Sequence, residues 1–333
     1  MAKGTLEFAV FGAGRIGTIH AGNIAANAGA KLKYVVDVNA AAATALAARH
    51  GAKVVESVDA ALKDGAIGAV VVASSTDTHV DLLTRSARAG KAIFCEKPID
   101  LSLAKVDAAL AELKKAAVPF LIGFNRRFDP SFRAVHDALR REEIGKVEKV
   151  TIISRDPRPP PAEYVKVSGG LFRDMMIHDF DMARWLLGEE PVELFASASC
   201  LVDQAIGKAG DVDTAMVQMK TRSGVLCHIQ NSRRAVYGYD QRIEVFGERG
   251  MLQAGNKVEN TVARWGTAGV TCAKPLDFFL ERYADAYREE MAHFIGAVQN
   301  GQPMLTGPTD GRQALVLAEA ALESCKSGQV VRL

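Results

Sequence analysis

A glycine-rich run near the N-terminus constrains the fold of this chain more than any other feature. Gly12, Gly14 and Gly17 stand in the spacing G-x-G-x-x-G. The apolar run Leu6 to Phe11 precedes them, and an alanine-rich stretch from Ile16 to Ala28 follows. In that context the first glycine permits a tight turn, the second lets the backbone approach a pyrophosphate, and the third allows the helix to pack on the strand. The run therefore predicts a strand, turn and helix that hold a dinucleotide at the helix N-terminus.

An acidic residue supports the same interpretation and indicates which dinucleotide is bound. Asp37 lies at the end of the second apolar run, near the spacing expected for a ribose ligand. Its carboxylate would accept hydrogen bonds from both hydroxyls of the adenosine ribose and would repel a 2′-phosphate. We therefore expect NAD rather than NADP. The alternative is that the glycines serve only a turn and that Asp37 caps a helix.

Short apolar runs alternate with helical stretches through the first third of the chain. Near-continuous apolar strands between helices are typical of a parallel sheet that is covered on both faces. The sequence thus predicts an α/β fold, with an N-terminal doubly wound Rossmann domain over residues 1–123. The predicted strands are Leu6–Phe11, Lys33–Val38, Val54–Val55, Ala69–Ala73, Ala92–Cys95 and Pro119–Gly123.

The pattern changes after Gly123, where residues 124–333 predict an α+β domain with a largely antiparallel, open sheet. Ser223-Gly224 and Glu248 to Gly250 separate apolar runs in the manner of hairpin turns. We expect this domain to bind substrate and to mediate oligomerisation, with the last helix packing back on the first domain. The predicted helices are Pro130–Arg141, Phe172–Leu187, Glu281–Gln299 and Thr309–Ser324; the predicted strands include Val147–Ser154, Val192–Val202 and Val258–Arg264.

Composition excludes several functional classes. The 333 residues carry 41 Lys and Arg against 39 Asp and Glu, a net charge of +2, so no general attraction to nucleic acid is expected. No segment reaches eighteen consecutive apolar residues, so we expect no membrane span and a cytoplasmic protein. The five cysteines are scattered without a C-x-x-C pair, which argues against a disulfide framework and against structural zinc.

Polar residues follow the fourth and fifth predicted strands. A doubly wound fold places its ligand at the carboxyl ends of its strands. For Thr76 and His79, a helix cap and a solvent-facing helix residue are equally good explanations. The candidate cofactor-binding residues, with those of the glycine loop, are Gly12, Gly14, Arg15, Ile16, Gly17, Asp37, Ser75, Thr76, His79, Glu96 and Lys97.

Several motifs beyond the glycine loop resemble those of the GFO/Idh/MocA oxidoreductase family. They include E-K-P at residues 96–98, G-F-N-R-R-F-D at 123–129, and D-x-x-x-H from Asp174 to His178. G-F-N-R-R-F-D and Y-G-Y-D-Q-R at 237–242 narrow the resemblance to the inositol-oxidising branch. The resemblance covers the whole chain and also includes S-R-D-P at 154–157. It implies a catalytic trio of Lys97, Asp174 and His178, a cis Lys97–Pro98 bond and a homotetramer.

The chemistry of alcohol oxidation suits the same three residues. The hydroxyl proton needs a base while the carbinol hydrogen leaves as hydride, and the unperturbed pKa of His178 lies close to working pH. Asp174 stands four residues earlier, so on a regular helix it would share a face with His178 and could orient the imidazole or bind a substrate hydroxyl. Lys97 would hold the reacting oxygen. A metal site at Asp174, His178 and Asp181 is the weaker alternative, and we expect none.

Recognition of a polyol needs hydrogen-bond donors and acceptors. By resemblance, Arg127, Tyr237 and Tyr283 are substrate contacts, with Asp156 and Tyr239 as further candidates. Tyr237 and Tyr239 would face the same side if they lay on a strand. Each tyrosine could equally be a half-buried packing residue with a wet hydroxyl.

The expected activity is the NAD-dependent oxidation of a cyclitol, with myo-inositol converted to 2-keto-myo-inositol. Three alternatives remain open. They are the same chemistry on scyllo-inositol or an aldose, a preference for NADP, and a catalytically silent regulator that senses NAD or a sugar.

Overall fold

The computed structural model describes residues 4–333, and these residues form two compact units. The N-terminal unit comprises residues 4–128 and 286–315, and the C-terminal unit comprises residues 129–285 and 316–333. The domain boundary that the sequence places after residue 123 stays a prediction. No helix of the described residues has both the length and the apolar character that crossing a membrane requires.

The described residues contain fifteen strands and twelve helices. The strands are β1 (Leu6–Phe11), β2 (Ala30–Val36), β3 (Lys53–Val54), β4 (Ile67–Val72), β5 (Ala92–Glu96), β6 (Phe120–Gly123), β7 (Val147–Arg155), β8 (Pro191–Ser199), β9 (Thr214–Thr221), β10 (Leu226–Ser232), β11 (Asp240–Gly247), β12 (Gly250–Ala254), β13 (Ala263–Gly266), β14 (Gly269–Cys272) and β15 (Val331–Arg332). The helices are α1 (Arg15–Ala26), α2 (Ala40–Arg49), α3 (Val58–Lys63), α4 (His79–Arg88), α5 (Leu103–Ala116), α6 (Pro130–Arg140), α7 (Ala162–Ser168), α8 (Ile177–Leu187), α9 (Gln204–Lys208), α10 (Phe279–Arg282), α11 (Ala284–Asn300) and α12 (Pro308–Ser327).

The N-terminal unit is built on a parallel six-stranded sheet in the order β3-β2-β1-β4-β5-β6. Its central strands are apolar along their length because helices cover both faces; Val10, Val71 and Phe94 are fully buried. The strand order reverses between β1 and β4, and such a switch point is where a doubly wound fold binds its ligand. The predicted Rossmann architecture is confirmed.

The C-terminal unit is built on a seven-stranded sheet in the order β12-β11-β7-β10-β9-β8-β15. Both predicted hairpins are present, since β9 pairs with β10 and β11 pairs with β12 in antiparallel register. One pair, β7 with β10, is parallel, so the sheet is mixed. The predicted class, a largely antiparallel sheet with helices, is confirmed.

Three sequence-based details are wrong. The predicted helix Phe172–Leu187 is a π-helical segment, Leu171–Met175, followed by α8, because the backbone N–H of Met176 donates to the carbonyl of Leu171, five residues back. The predicted strand Val258–Arg264 is interrupted, because the side chain of Asn260 accepts the N–H of Val262 in a turn.

The third detail concerns Tyr237 and Tyr239, which lie in a turn rather than on a strand. Gly238 between them has a φ of +123°, a left-handed conformation that breaks the alternation of a strand. As a result Tyr237 is 41% exposed whereas Tyr239 is 7% exposed. The two side chains do not share a face.

Candidate active site

The glycine loop leaves room for a ligand at one position and is closely packed at another. A Cβ on Gly12, whose φ is +108°, would lie 2.4 Å from the carbonyl oxygen of Ala73. A Cβ on Gly14 would meet no other described atom within 4 Å. Gly12 is therefore required by the fold, whereas Gly14 keeps the space in front of the α1 N-terminus open, as the approach of a pyrophosphate requires.

Asp37 joins the end of β2 to this loop. Its carboxylate accepts the backbone N–H of Ala13 at 2.5 Å and that of Asn39 at 2.7 Å. No side chain in residues 4–333 caps the N-terminus of α1, so its N–H groups remain available to an anion. Open space, an uncapped helix and a neighbouring carboxylate together fit a dinucleotide.

The loop after β4 carries three of the predicted cofactor contacts, and they differ in exposure. Ser75 is exposed, and Thr76 begins a short 3-10 turn. His79 is 1% exposed, with Nδ1 at 2.8 Å from the carbonyl oxygen of Pro98 and Nε2 at 3.2 Å from that of Ser74. Burial lowers the pKa of its imidazole. His79 thus connects the segments that follow β4 and β5, and its contact with a cofactor stays a prediction.

The end of β5 presents Glu96 and Lys97. Oε1 of the buried Glu96 lies 2.6 Å from Nε2 of His20 on α1, and a Cβ on Gly123 would come within 3.0 Å of the same carboxyl group. Lys97 is partly exposed, and its peptide bond to Pro98 is cis, as the family resemblance implied. The carboxyl ends of β1, β2, β4 and β5 therefore bring the predicted cofactor residues to one edge of the sheet.

Arg127 lies in the N-terminal unit with its guanidinium buried. Nη2 donates to Oδ1 of Asp310 at 2.8 Å, and Nη1 donates to the carbonyl oxygen of Leu305 at 3.2 Å. These contacts fix the side chain in place. Its role as a substrate ligand stays a prediction.

The predicted acid–base residues lie at the start of α8 in the C-terminal unit. His178 is the second residue of α8 and is partly buried, whereas Asp174 lies in the preceding π-helical segment. The Asp174 carboxylate accepts the hydroxyl of Tyr164 at 3.0 Å and Nη2 of Arg233 at 3.3 Å. The expectation that Asp174 and His178 share one regular helix is wrong, because the helix geometry changes between them.

The remaining predicted substrate contacts, all in the C-terminal unit, have partners within it. Asp156 accepts Nη1 of Arg233 at 2.9 Å. Tyr237 donates to Asp240 at 2.6 Å. The buried rings of Tyr239 and Tyr283 meet edge-to-face with centroids 6.0 Å apart. The hydroxyl of Tyr283 donates inward to a buried glutamine, Gln241, at 3.0 Å.

A buried polar network adjoins His178 in sequence. Asp179 is fully buried; it accepts the Ser154 hydroxyl at 2.5 Å and Nδ2 of Asn231 at 2.8 Å. These bonds fix the first turn of α8 to β7 and β10. Asp179 therefore positions the backbone that carries His178.

Sequence reasoning missed His20, Tyr164, Asp179 and Arg233. A signal existed for His20, which lies on the face of α1 that also carries Gly17 and Ile24, where a polar residue must find a partner. The other three depend on contacts between residues distant in sequence, which one sequence does not show.

Comparison with known proteins tests the assignment over the whole chain. Residues 6–124 match the family model described as an oxidoreductase family with an NAD-binding Rossmann fold. Residues 132–253 match the model of the GFO/IDH/MocA C-terminal domain. The chain belongs to the GFO/IDH/MocA oxidoreductase family. The Rossmann domain of this family binds NAD. The open space at Gly14 and the carboxylate of Asp37 agree with NAD as the cofactor.

Similarity to individual family members extends over nearly the full length. The inositol 2-dehydrogenase of Rhizobium meliloti is 50% identical, covering 96% of this chain and 97% of its own. The myo-inositol 2-dehydrogenase of Thermotoga maritima is 47% identical, covering 98% of both chains. The structure of scyllo-inositol dehydrogenase from Lactobacillus casei with bound NAD(H) and scyllo-inositol is 30% identical with a TM-score of 0.92, covering 98% of this chain and 99% of that one.

Proposed function

We propose that this protein oxidises a secondary alcohol of a cyclitol with NAD, and that its substrate is myo-inositol, which it converts to 2-keto-myo-inositol. The observation that carries this proposal is the near full-length match to two inositol 2-dehydrogenases at 47–50% identity. The silent regulator is not favoured, because Lys97, Asp174 and His178 are all present.

Each member of the proposed trio has a distinct role in our mechanism. His178 takes the proton of the reacting hydroxyl as general base. Lys97 holds the oxygen of that hydroxyl and stabilises the negative charge that develops there. Asp174, held by Tyr164 and Arg233, accepts a hydrogen bond from the substrate or from the imidazole. When bound, NAD supplies the nicotinamide that takes up the hydride.

The other predicted contacts complete the proposed site. The residues proposed to hold the cofactor are Gly12, Gly14, Arg15, Ile16, Gly17, Asp37, Ser75, Thr76, His79, Glu96 and Lys97. The residues proposed to contact the hydroxyls of the polyol are Arg127, Asp156, Tyr237, Tyr239 and Tyr283. The side chain of Tyr283 is 2% exposed and its hydroxyl donates to Gln241, and its contact with substrate stays a prediction.

A spectrophotometric assay of NADH formation tests this function. We expect turnover to be best on myo-inositol in a panel with scyllo-inositol, chiro-inositols, glucose and xylose. Best turnover on scyllo-inositol would favour the second candidate, which the similarity to the Lactobacillus casei structure supports. Lys97→Met and His178→Asn should each lower kcat by about 10²–10⁴-fold with unchanged thermal stability. Unchanged turnover in either folded variant would contradict the assigned roles.

Cofactor choice is tested separately at Asp37. Asp37→Ser removes a carboxylate that we assign to the ribose hydroxyls, so the KM for NAD should rise about 10–100-fold and the preference over NADP should fall. The matched control is Asp77→Asn, an exposed acidic residue in the loop after β4. This role would be contradicted if the Asp37 variant and the wild type had the same kinetic constants with NAD and the same kinetic constants with NADP.

We further propose a cytoplasmic homotetramer that forms through the outer face of the seven-stranded sheet. On that face Phe195, Met216 and Leu226 are 38–49% exposed, and they line a recess of about 410 Å³. An exposed apolar sheet face is an aggregation hazard unless another chain covers it. Light scattering should give the mass of four chains, and Met216→Glu should lower it. A monomeric wild type would contradict the proposal.

A further inference from the structure

We propose that Arg233 is a positioning residue that holds the carboxylates of Asp156 and Asp174 together as a pair of acceptors for the hydroxyl groups of a polyol. This inference rests on the proposed function, because it assigns the pair to substrate recognition. All three residues belong to the C-terminal unit, and Arg233 carries no assigned role.

The contacts place one guanidinium between two carboxylates. Nη1 of Arg233 donates to Oδ2 of Asp156 at 2.9 Å, and Nη2 donates to Oδ2 of Asp174 at 3.3 Å. The side chain of Arg233 is 5% exposed, whereas those of Asp156 and Asp174 are 21% and 13% exposed. The cation therefore lies behind the pair, and solvent or a ligand can reach the carboxylates.

Hydrogen bonds to and from Asp213 hold the backbone at Arg233. Its backbone N–H donates to the carbonyl oxygen of the fully buried Asp213 at 2.8 Å. The Asp213 carboxylate accepts three consecutive backbone N–H groups, those of residues 201–203, at 2.8–2.9 Å. These bonds hold the backbone that carries Arg233. Its guanidinium has a planar fork with fixed donors, so it sets the distance between the two carboxylates that it binds.

Electrostatics explains why an arginine is needed here. Burial alone would lower the pKa of the Arg233 guanidinium, but Asp156 and Asp174 outweigh that effect and raise it. Tyr164 donates to the other oxygen of Asp174, and the Asp211 carboxyl lies close enough to act on both Arg233 and Asp174. Without the cation, neighbouring carboxylates repel each other, which favours the protonated form of one of them. The positive charge of Arg233 thus favours the ionised carboxylates, which only accept hydrogen bonds.

The test uses Arg233→Met and Arg233→Lys, with Arg234→Met as the matched control at the next, exposed position. Three properties are measured on the full chain. The first is the titration midpoint of the Asp174 carboxyl by ¹³C NMR, assigned with Asp174→Asn. The second is the pair of constants kcat and KM for the polyol across pH, and the third is the Kd for NAD.

In Arg233→Met we expect the Asp174 midpoint to rise by about one pH unit or more, and the KM for the polyol to rise about 10–100-fold. The Kd for NAD should stay within about twofold, because we assign the pair to the polyol and not to the cofactor. Arg233→Lys should keep the midpoint near the wild-type value, since the charge remains, yet still raise KM, since a point charge does not hold both carboxylates. Arg234→Met should match the wild type.

The outcomes separate this inference from the proposed function. A wild-type midpoint and KM in a folded Arg233→Met variant would overturn the positioning role. If Arg233→Met does not fold, Arg233→Lys with an unchanged KM would overturn it equally. A shifted midpoint in a protein whose wild type oxidises no polyol would support the role of Arg233 in holding Asp174 and overturn the proposed function.

Discussion

Nε2 of His20 lies 2.6 Å from Oε1 of Glu96 in the interior of the N-terminal unit. His20 belongs to α1, whose N-terminus faces the open space at Gly14, and Glu96 precedes Lys97 at the end of β5. The imidazole also packs against the ring of Phe94, with centroids 4.5 Å apart. This one contact therefore connects the helix assigned to the pyrophosphate with the strand that presents the proposed catalytic lysine.

We predict that His20→Ala destabilises the protein strongly. The change removes the partner of a buried carboxyl group and leaves a cavity beside Phe94, so the free energy of unfolding should fall by about 3 kcal/mol. Urea unfolding at neutral pH measures it. His50→Ala, at the end of α2 where the side chain is partly exposed, serves as the control and should change stability by less than about 1 kcal/mol. Equal losses would show that the buried contact adds nothing.

Substitutions in the glycine loop should separate folding from cofactor binding. Gly14→Ala places a methyl group in open space, so thermal stability should change little, but the methyl occupies the approach assigned to the pyrophosphate and should weaken NAD binding at least about tenfold. Gly12→Ala forces a Cβ against the carbonyl of Ala73 and should lower stability as well. Thermal melts and calorimetric titration with NAD measure both effects. Wild-type affinity in Gly14→Ala would place the pyrophosphate elsewhere.

The network at Asp179 predicts a contrast between two substitutions. In Asp179→Asn the amide can turn its oxygen to Asn231 and its nitrogen to the Ser154 hydroxyl, so about 1 kcal/mol should be lost. Asp179→Leu removes the bond to the buried Nδ2 of Asn231 and leaves the Ser154 hydroxyl with its longer bond to Gln241 at 3.2 Å, so it should cost about 3 kcal/mol. Denaturant unfolding of both variants, with the exposed Glu148→Gln on β7 as control, gives the comparison. Similar losses in both Asp179 variants would contradict the assigned network.

The buried imidazole of His79 should make the free energy of unfolding depend on pH. Because burial lowers the pKa of its imidazole, the unfolded chain binds a proton below pH 6.5 that the folded chain does not. The contribution of neutral His79 is therefore complete above pH 6.5 and is lost as the pH falls towards the folded-state pKa. The slope from this one group is at most about 1.4 kcal/mol per pH unit.

Unfolding of the wild type and of His79→Asn, measured without cofactor from pH 8 to pH 5, tests this linkage. The difference in free energy of unfolding should be constant above pH 6.5 and should shrink below it. A difference that stays constant across the whole range would mean that His79 does not carry the effect.

The sequence could predict the Rossmann sheet because buried parallel strands are continuous apolar runs, a pattern visible without partners. The glycine loop and Asp37 were predictable for a related reason, since the turn demands those residue types at fixed spacing. The break between Asp174 and His178 was not, because apolar spacing does not distinguish a π-helical turn from an α-helical one. The Tyr237 and Tyr239 prediction failed because it presumed a strand where Gly238 makes a turn.

Polar contacts between residues distant in the chain could not be predicted from the sequence, for a different reason. His20 and Glu96 are 76 residues apart, and Asp174 and Arg233 are 59 residues apart. Each partner alone is an ordinary charged or polar residue, and only the folded chain shows that they meet. These contacts are the ones that position the predicted site residues.

The most direct test of the central claim follows the hydrogen that leaves the substrate. The enzyme is supplied with NAD and myo-inositol deuterated at C2, and the reduced cofactor is analysed by mass spectrometry. We predict that the reduced cofactor carries the deuterium and that turnover is slower than with unlabelled myo-inositol or equal to it. Reduced cofactor without deuterium would show that the hydride comes from another carbon and would contradict the proposed reaction.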